Sequence, residues 1–100
     1  MSVFLHATFQ IKPFRGQDFD TIFQHWRPIA ERLGWKLALA LKSHVGRAFE
    51  VIVIWEIPDA NDYERFHVET AQLEEWTKWR PLLAEILEEE TSKIMTKAPF

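Results

Sequence analysis

One hundred residues, 47% apolar and 27% charged, describe a chain that is neither disordered nor fibrous and has material for one hydrophobic core. A net charge of -3 and a pI near 5.8 leave no basic footprint for nucleic acid or an anionic membrane surface. The absence of cysteine excludes disulfides, thiolate metal sites and cysteine nucleophiles and fits a reducing, cytoplasmic setting, while an apolar run such as Val51 to Trp55 is far shorter than the ~20 residues of a membrane span.

The amino terminus, MSVFLHATF, has no basic region ahead of its apolar residues and reads as a strand, not a leader. Val3 to Lys12 alternates Val3, Leu5, Ala7, Phe9 and Ile11 with Phe4, His6, Thr8, Gln10 and Lys12, as a pleated strand requires. Pro13 and Gly16 end it. Asp18 is placed to cap a helix in which Phe19, Ile22, Phe23, Trp26, Ile29 and Leu33 share one face, with Pro28 predicting a kink and Gly34 a C-cap. Trp35 to Ser43 sets Leu37, Leu39 and Leu41 against Ala38, Ala40 and Lys42, and with Ala48 to Ile57 it predicts a hairpin.

Asp59 then caps a second helix, with Asp62 in its first turn and Tyr63, Phe66 and His67 on its buried face. The helical pattern resumes at Leu73, Trp76, Arg80, Leu83 and Leu87, with Pro81 inside it, and the run Glu88 to Glu90 reads as a solvated helix end. Thr91 to Lys97 alternates again and predicts the last strand. The order strand, helix, strand, strand, helix, strand is the ferredoxin-like α+β split unit: a four-stranded antiparallel sheet with its helices on one face. Trp26-Arg27-Pro28-Ile29 and Trp79-Arg80-Pro81-Leu82 echo one another at the same stage of each half.

Val51 to Trp55 is apolar on both faces, although two helices cover only one side of such a sheet. The apolar stripe Val3 to Ile11 adds to this, and the sum predicts a homodimer joined through its sheet faces.

The chain resembles the NIPSNAP family of the dimeric α/β-barrel superfamily over most of its length. The likeness rests on Gln10-Ile11-Lys12-Pro13, Trp26, Val45-Gly46, Val53-Ile54-Trp55-Glu56 leading to Asp59, and Glu75-Trp76. It continues through Arg80-Pro81-Leu82-Leu83, Ser92-Lys93-Ile94-Met95 and Pro99-Phe100. The chain departs from the family where Leu5 and Ala7 replace a common Glu and Arg, and around Arg15 to Gln17, where the linker is longer. The resemblance implies a homodimer with back-to-back sheets and a cavity in each subunit between sheet and helices.

Five Trp and eight Phe against one Tyr supply aromatic walls for such a cavity. Trp26, Trp55 and Trp79 are expected mainly to pack the core. Phe4, His6 and Thr8 share a strand face; if it looks at the helices, His6 and Thr8 are polar points in an apolar pocket. The predicted ligand site is Thr8, Trp55, Tyr63, Trp76 and Arg80, with His6 and His67 as candidate proton-transfer residues. Arg80 lies on an apolar stripe, so it must pair, snorkel or face the cavity. The four histidines show no metal-ligand spacing, the serines lie in no nucleophile motif and the three glycines form no phosphate loop, so no metal or cofactor is expected. Three readings follow: a binder of a small apolar or aromatic molecule; an interaction domain with no pocket; and, as the resemblance to the superfamily implies, a cofactor-independent monooxygenase or isomerase acting on an aromatic or polyphenolic substrate.

Overall fold

The alternation at the amino terminus is realised as strand β1 (Val3–Ile11), and the computed structural model, which describes residues 2–100, places that strand inside the sheet. Helix α1 (Gly16–Arg32) follows, then the hairpin β2 (Lys36–Lys42) and β3 (Glu50–Ile57). Three helical segments, α2 (Asn61–Ala71), α3 (Glu74–Thr77) and α4 (Arg80–Ile86), lead into β4 (Leu87–Met95). The strands run antiparallel in the order β2-β3-β1-β4, the expected ferredoxin-like sheet.

The helices cover one face. Leu5, Ala7 and Ile11 of β1 and Val51, Val53, Trp55 and Ile57 of β3 are buried beneath them, with Phe19, Ile22 and Ile29 of α1 pressed on top. The stripe Val3 to Ile11 is therefore committed to the core and contributes nothing to a bare face. Phe4, His6 and Thr8 pair across to Glu56, Ile54 and Ile52 on the opposite face, which carries no helix. β2 supplies both sides because its register slips between Leu37 and Leu39. One extra residue reverses every side chain beyond it, so Leu37 sits beside Trp55 on the core side while Leu39 and Leu41 sit outside beside Ile54 and Ile52. The single leucine stripe read from sequence is thus divided between two faces.

The C-cap reading of Gly34 holds in detail. Its φ of +100° lets the chain reverse, with the Gly34 N–H donating to Glu31 at 3.1 Å and the Trp35 N–H to Ala30 at 3.0 Å, a Schellman pattern. Asp18 does not cap α1. The helix begins at Gly16, and the Asp18 carboxylate accepts from the Arg15 side chain at 2.6 Å instead. Asp59 does serve α2, its Oδ1 accepting the Asp62 N–H at 3.0 Å.

Pro28 lies within a continuous α1, whereas Pro81 occupies the first turn of α4, where a missing N–H breaks no helical bond. The two Trp-Arg-Pro segments therefore do not occupy equivalent places. The carboxyl-terminal helix breaks at Leu73 and between Thr77 and Arg80, and Glu88 to Glu90 belong to β4, not to a helix end. A register shift opposite Gln10 and Ile11 sets Leu87, Glu90 and Ser92 on the core face. The Lys12 N–H donates to the carbonyl of Ile86 at 2.8 Å and so fastens the turn from α4 into β4 against the end of β1.

Candidate functional site

Between the inner sheet face and the helices lies a cavity of about 270 Å³. It is close to the lower end of the ~300–1,000 Å³ range of small-molecule pockets and well above the roughly 150 Å³ that accommodates benzene. Leu5, Ala7 and Phe9 of β1 and Trp55 of β3 form its floor, and α1 supplies Phe19, Ile22, Phe23 and Trp26. Tyr63 and His67 project from α2, Trp76 from α3, Arg80 and Leu83 from α4, and Glu90 and Ser92 from β4.

The aromatic excess forms one continuous chain around this space. Phe9 meets Phe19 at a centroid distance of 5.2 Å, Phe19 meets Phe23 at 6.1 Å, and Phe23 meets Trp55 at 5.9 Å. Trp55 adjoins Trp35 at 6.0 Å, Trp35 stacks on Phe66 at 3.7 Å, and Phe66 meets Trp26 edge-on at 5.3 Å. Trp26 in turn lies 4.3 Å from Trp76. These contacts fix the ring planes and leave flat apolar walls. Trp79 stands apart, stacked on His25 at 4.2 Å.

Five of the residues predicted from sequence meet in the cavity: Trp55, Tyr63, His67, Trp76 and Arg80. His6 and Thr8 do not. Their pairing with Ile54 and Lys93, and with Ile52 and Thr91, puts them on the helix-free face, so neither touches a molecule held in the cavity. The signal was the wholly apolar alternate set Val3, Leu5, Ala7, Phe9 and Ile11, which the helices cover and which leaves His6 and Thr8 on the other side. Trp35, Glu90 and Ser92 were missed. Glu90 and Ser92 alternate with each other, but Glu90 stands three residues from Leu87 and joins it on the core face only through the register shift, and Trp35 shows its role through a partner 27 positions away.

That partner is Asp62, only 8% exposed, whose Oδ2 accepts the Trp35 indole N–H at 2.8 Å. The Arg65 guanidinium donates to the other carboxylate oxygen, with its Nε at 2.8 Å. The bond orients the indole that closes one wall.

His67 lies at the rim, its ring 4.5 Å from that of Tyr63. Partial burial and then the Arg80 charge hold its pKa below the ordinary 6.5. Burial moves Glu90 the other way, above the ordinary 4.5. The two have opposite consequences for stability. His67 contributes stability that is complete above the unfolded value and lost as pH falls through the lowered folded value; the Glu90 contribution is present below its unfolded value and lost as pH rises through the raised one. His67→Gln is accordingly expected to show a smaller loss of thermal midpoint than the parent between about pH 7.5 and about pH 5.5, measured by circular dichroism. Equal losses would assign the acid sensitivity to other groups.

A model of the NIPSNAP family matches residues 4–100. The chain belongs to the NIPSNAP family. Among solved structures it is similar to a NIPSNAP family protein from Agrobacterium tumefaciens, with a TM-score of 0.89, 19% identity, and coverage of 100% of this chain and 96% of that one. An uncharacterized NIPSNAP domain protein from Burkholderia xenovorans gives 0.83 at 21% identity, over 100% and 97% of the two chains. A putative antibiotic biosynthesis monooxygenase from Bordetella bronchiseptica gives 0.74 at 17% identity, over 97% of each. At these identities the structural likenesses show the fold. No curated protein matches the chain. Among the described residues of this NIPSNAP domain no helix is long and apolar enough to cross a membrane, and no three His, Asp or Glu side chains converge as metal ligands.

Proposed function

We propose that this NIPSNAP protein binds a small apolar or aromatic molecule between its sheet and helices. The observation that carries the reading is the cavity of about 270 Å³ walled by four tryptophans, with Tyr63, His67, Arg80, Glu90 and Ser92 as the few polar side chains that line it. Ala7 on its floor offers the test. Ala7→Leu is expected to fill the space, leaving the thermal midpoint within a few degrees of the parent while abolishing binding of naphthalene-sized probes in ligand-observed NMR. A core already full would instead lose about 1–3 kcal/mol on overpacking, and that result would reject the pocket.

Assembly through the bare sheet face is the second part of the proposal. The chain exposes 6778 Å², against about 5,900 Å² for a typical monomer of its mass, and measures 39 × 37 × 18 Å. Leu39 and Leu41 are 47% and 49% exposed there, beside the partly covered Ile52, Ile54 and Phe4. A second copy placed face to face would cover this patch, and a standard interface needs about 800 Å² per partner. Sedimentation should therefore give twice 11.9 kDa for the parent and the single mass for Ile54→Lys. A monomeric parent at micromolar concentration would overturn this.

The fold shared with monooxygenase-like structures keeps an oxygenase reading in play, and within the cavity His67 is the histidine placed to accept a proton. Its lowered pKa favours the neutral, basic form at pH 7. Oxygen uptake with a hydroquinone panel that disappears in His67→Ala would support catalysis; no uptake by the parent would leave the protein a binder.

A further inference from the structure

Five of the six arginines are ion-paired: Arg15 with Asp18, Arg27 with Glu31, Arg32 with Glu75, Arg47 with Glu89, and Arg65 with Asp62 and Glu69. Arg80 is the exception. Among the described residues it has no carboxylate partner, although the chain carries fifteen acidic residues. It is also the arginine that lines the aromatic cavity.

Glu90 lines the same cavity from β4, on the inner face beside Phe9. Among the described residues it too forms no ion pair, and partial desolvation at the cavity's edge raises its pKa above the ordinary 4.5. The two opposite charges share a cavity without pairing with each other. Such a pair gives a space with flat apolar walls a donor fork from α4 and an acceptor from β4. Ser92, two residues further along the same face of β4, adds a hydroxyl to the cavity lining.

We propose that the pocket selects a one- or two-ring aromatic carboxylate bearing a hydroxyl at its far end, with the carboxylate on Arg80 and the hydroxyl donated to Glu90. The inference rests on the pocket reading above and names its ligand class. The planar guanidinium matches a carboxylate through two parallel N–H···O bonds, which a neutral amide cannot reproduce. The rings occupy the space between the tryptophans, and the volume admits a naphthalene skeleton where about 150 Å³ admits benzene. The hydroxyl donates to Glu90 and accepts from Ser92, so both of its roles are met.

Calorimetric titration with 2-naphthamide, 2-naphthoate and 6-hydroxy-2-naphthoate tests this on the intact protein. The parent is expected to prefer 2-naphthoate over the amide by about tenfold or more, from a charge-assisted bond. Arg80→Gln should remove that preference while still binding the amide. The added hydroxyl should improve affinity about fivefold in the parent and not in Glu90→Ala, as expected of one hydrogen bond. Neither side chain holds the fold together, so unchanged far-ultraviolet spectra accompany both losses. Amide and carboxylate bound equally by the parent would overturn the ligand class and leave the pocket standing. Silence from all three probes would overturn both.

Discussion

Phe66→Ala is expected to lower the thermal midpoint by about 15–30 °C, the largest single-residue effect foreseen for this chain. The Phe66 ring is 0% exposed, stacks on Trp35 at 3.7 Å and meets Trp26 edge-on at 5.3 Å. It thereby joins α2 to the start of β2 and to α1. Removing a buried phenyl costs about 3–5 kcal/mol, because the hydrophobic transfer is lost and the neighbours close only part of the hole. Here those neighbours are stiff indoles already bordering a cavity, which favours the upper part of that range. A domain of this size has about 5–15 kcal/mol in total, so the variant stays folded with little margin. Phe66→Leu, which retains most of the volume, should cost about 1–2 kcal/mol. Thermal unfolding of both variants decides the matter, and a drop under about 5 °C for alanine would show that the stack carries little of the core's stability.

Asp62→Ala is expected to destabilise by about 2–4 kcal/mol, a large effect for a residue in the first turn of a helix. Its carboxylate serves two donors, the Trp35 indole N–H and the Arg65 guanidinium. Alanine leaves the indole N–H buried without an acceptor, which costs about 1–3 kcal/mol, and releases a partly buried charge pair. Asp62→Asn retains an oxygen for the indole and should lose about half as much. The decisive comparison is the double variant Asp62→Ala with Trp35→Phe. With the N–H also gone, no orphaned donor remains, and the two losses should sum to less than their separate values by about 1 kcal/mol or more. Simple additivity in urea unfolding would show that the Trp35–Asp62 bond does not couple the two residues.

Much of this fold was legible in the chain because its elements are strongly periodic and plainly punctuated. β1, the hairpin and α1 fall within a few residues of their expected bounds, and Gly34 ends α1 as its sequence position suggested. Where the reading failed, the cause was a register slip or a displaced element boundary. The slip between Leu37 and Leu39 moved two leucines to the outer face, and the early start of β4 turned an expected helix end into a strand that places Glu90 in the cavity. The candidate site divided along the same line. Aromatic and charged residues on helices, such as Tyr63, Trp76 and Arg80, were found because an amphipathic helix reveals its inner face; His6 and Thr8 fell outside because the apolar stripe of β1, assigned from sequence to a dimer interface, is the face the helices cover.

By itself, then, the sequence determined the order of the main elements and the ferredoxin-like class, since periods of 2 and 3.6 and the glycine and proline positions are local properties, while the order of its short motifs carried the family resemblance. Tertiary structure alone brought Trp35 to Asp62 and left Arg80 and Glu90 unpaired across one cavity. Those outcomes depend on the register between strands and on contacts between residues far apart in the chain, and a single inserted residue is enough to reverse a side chain from core to surface.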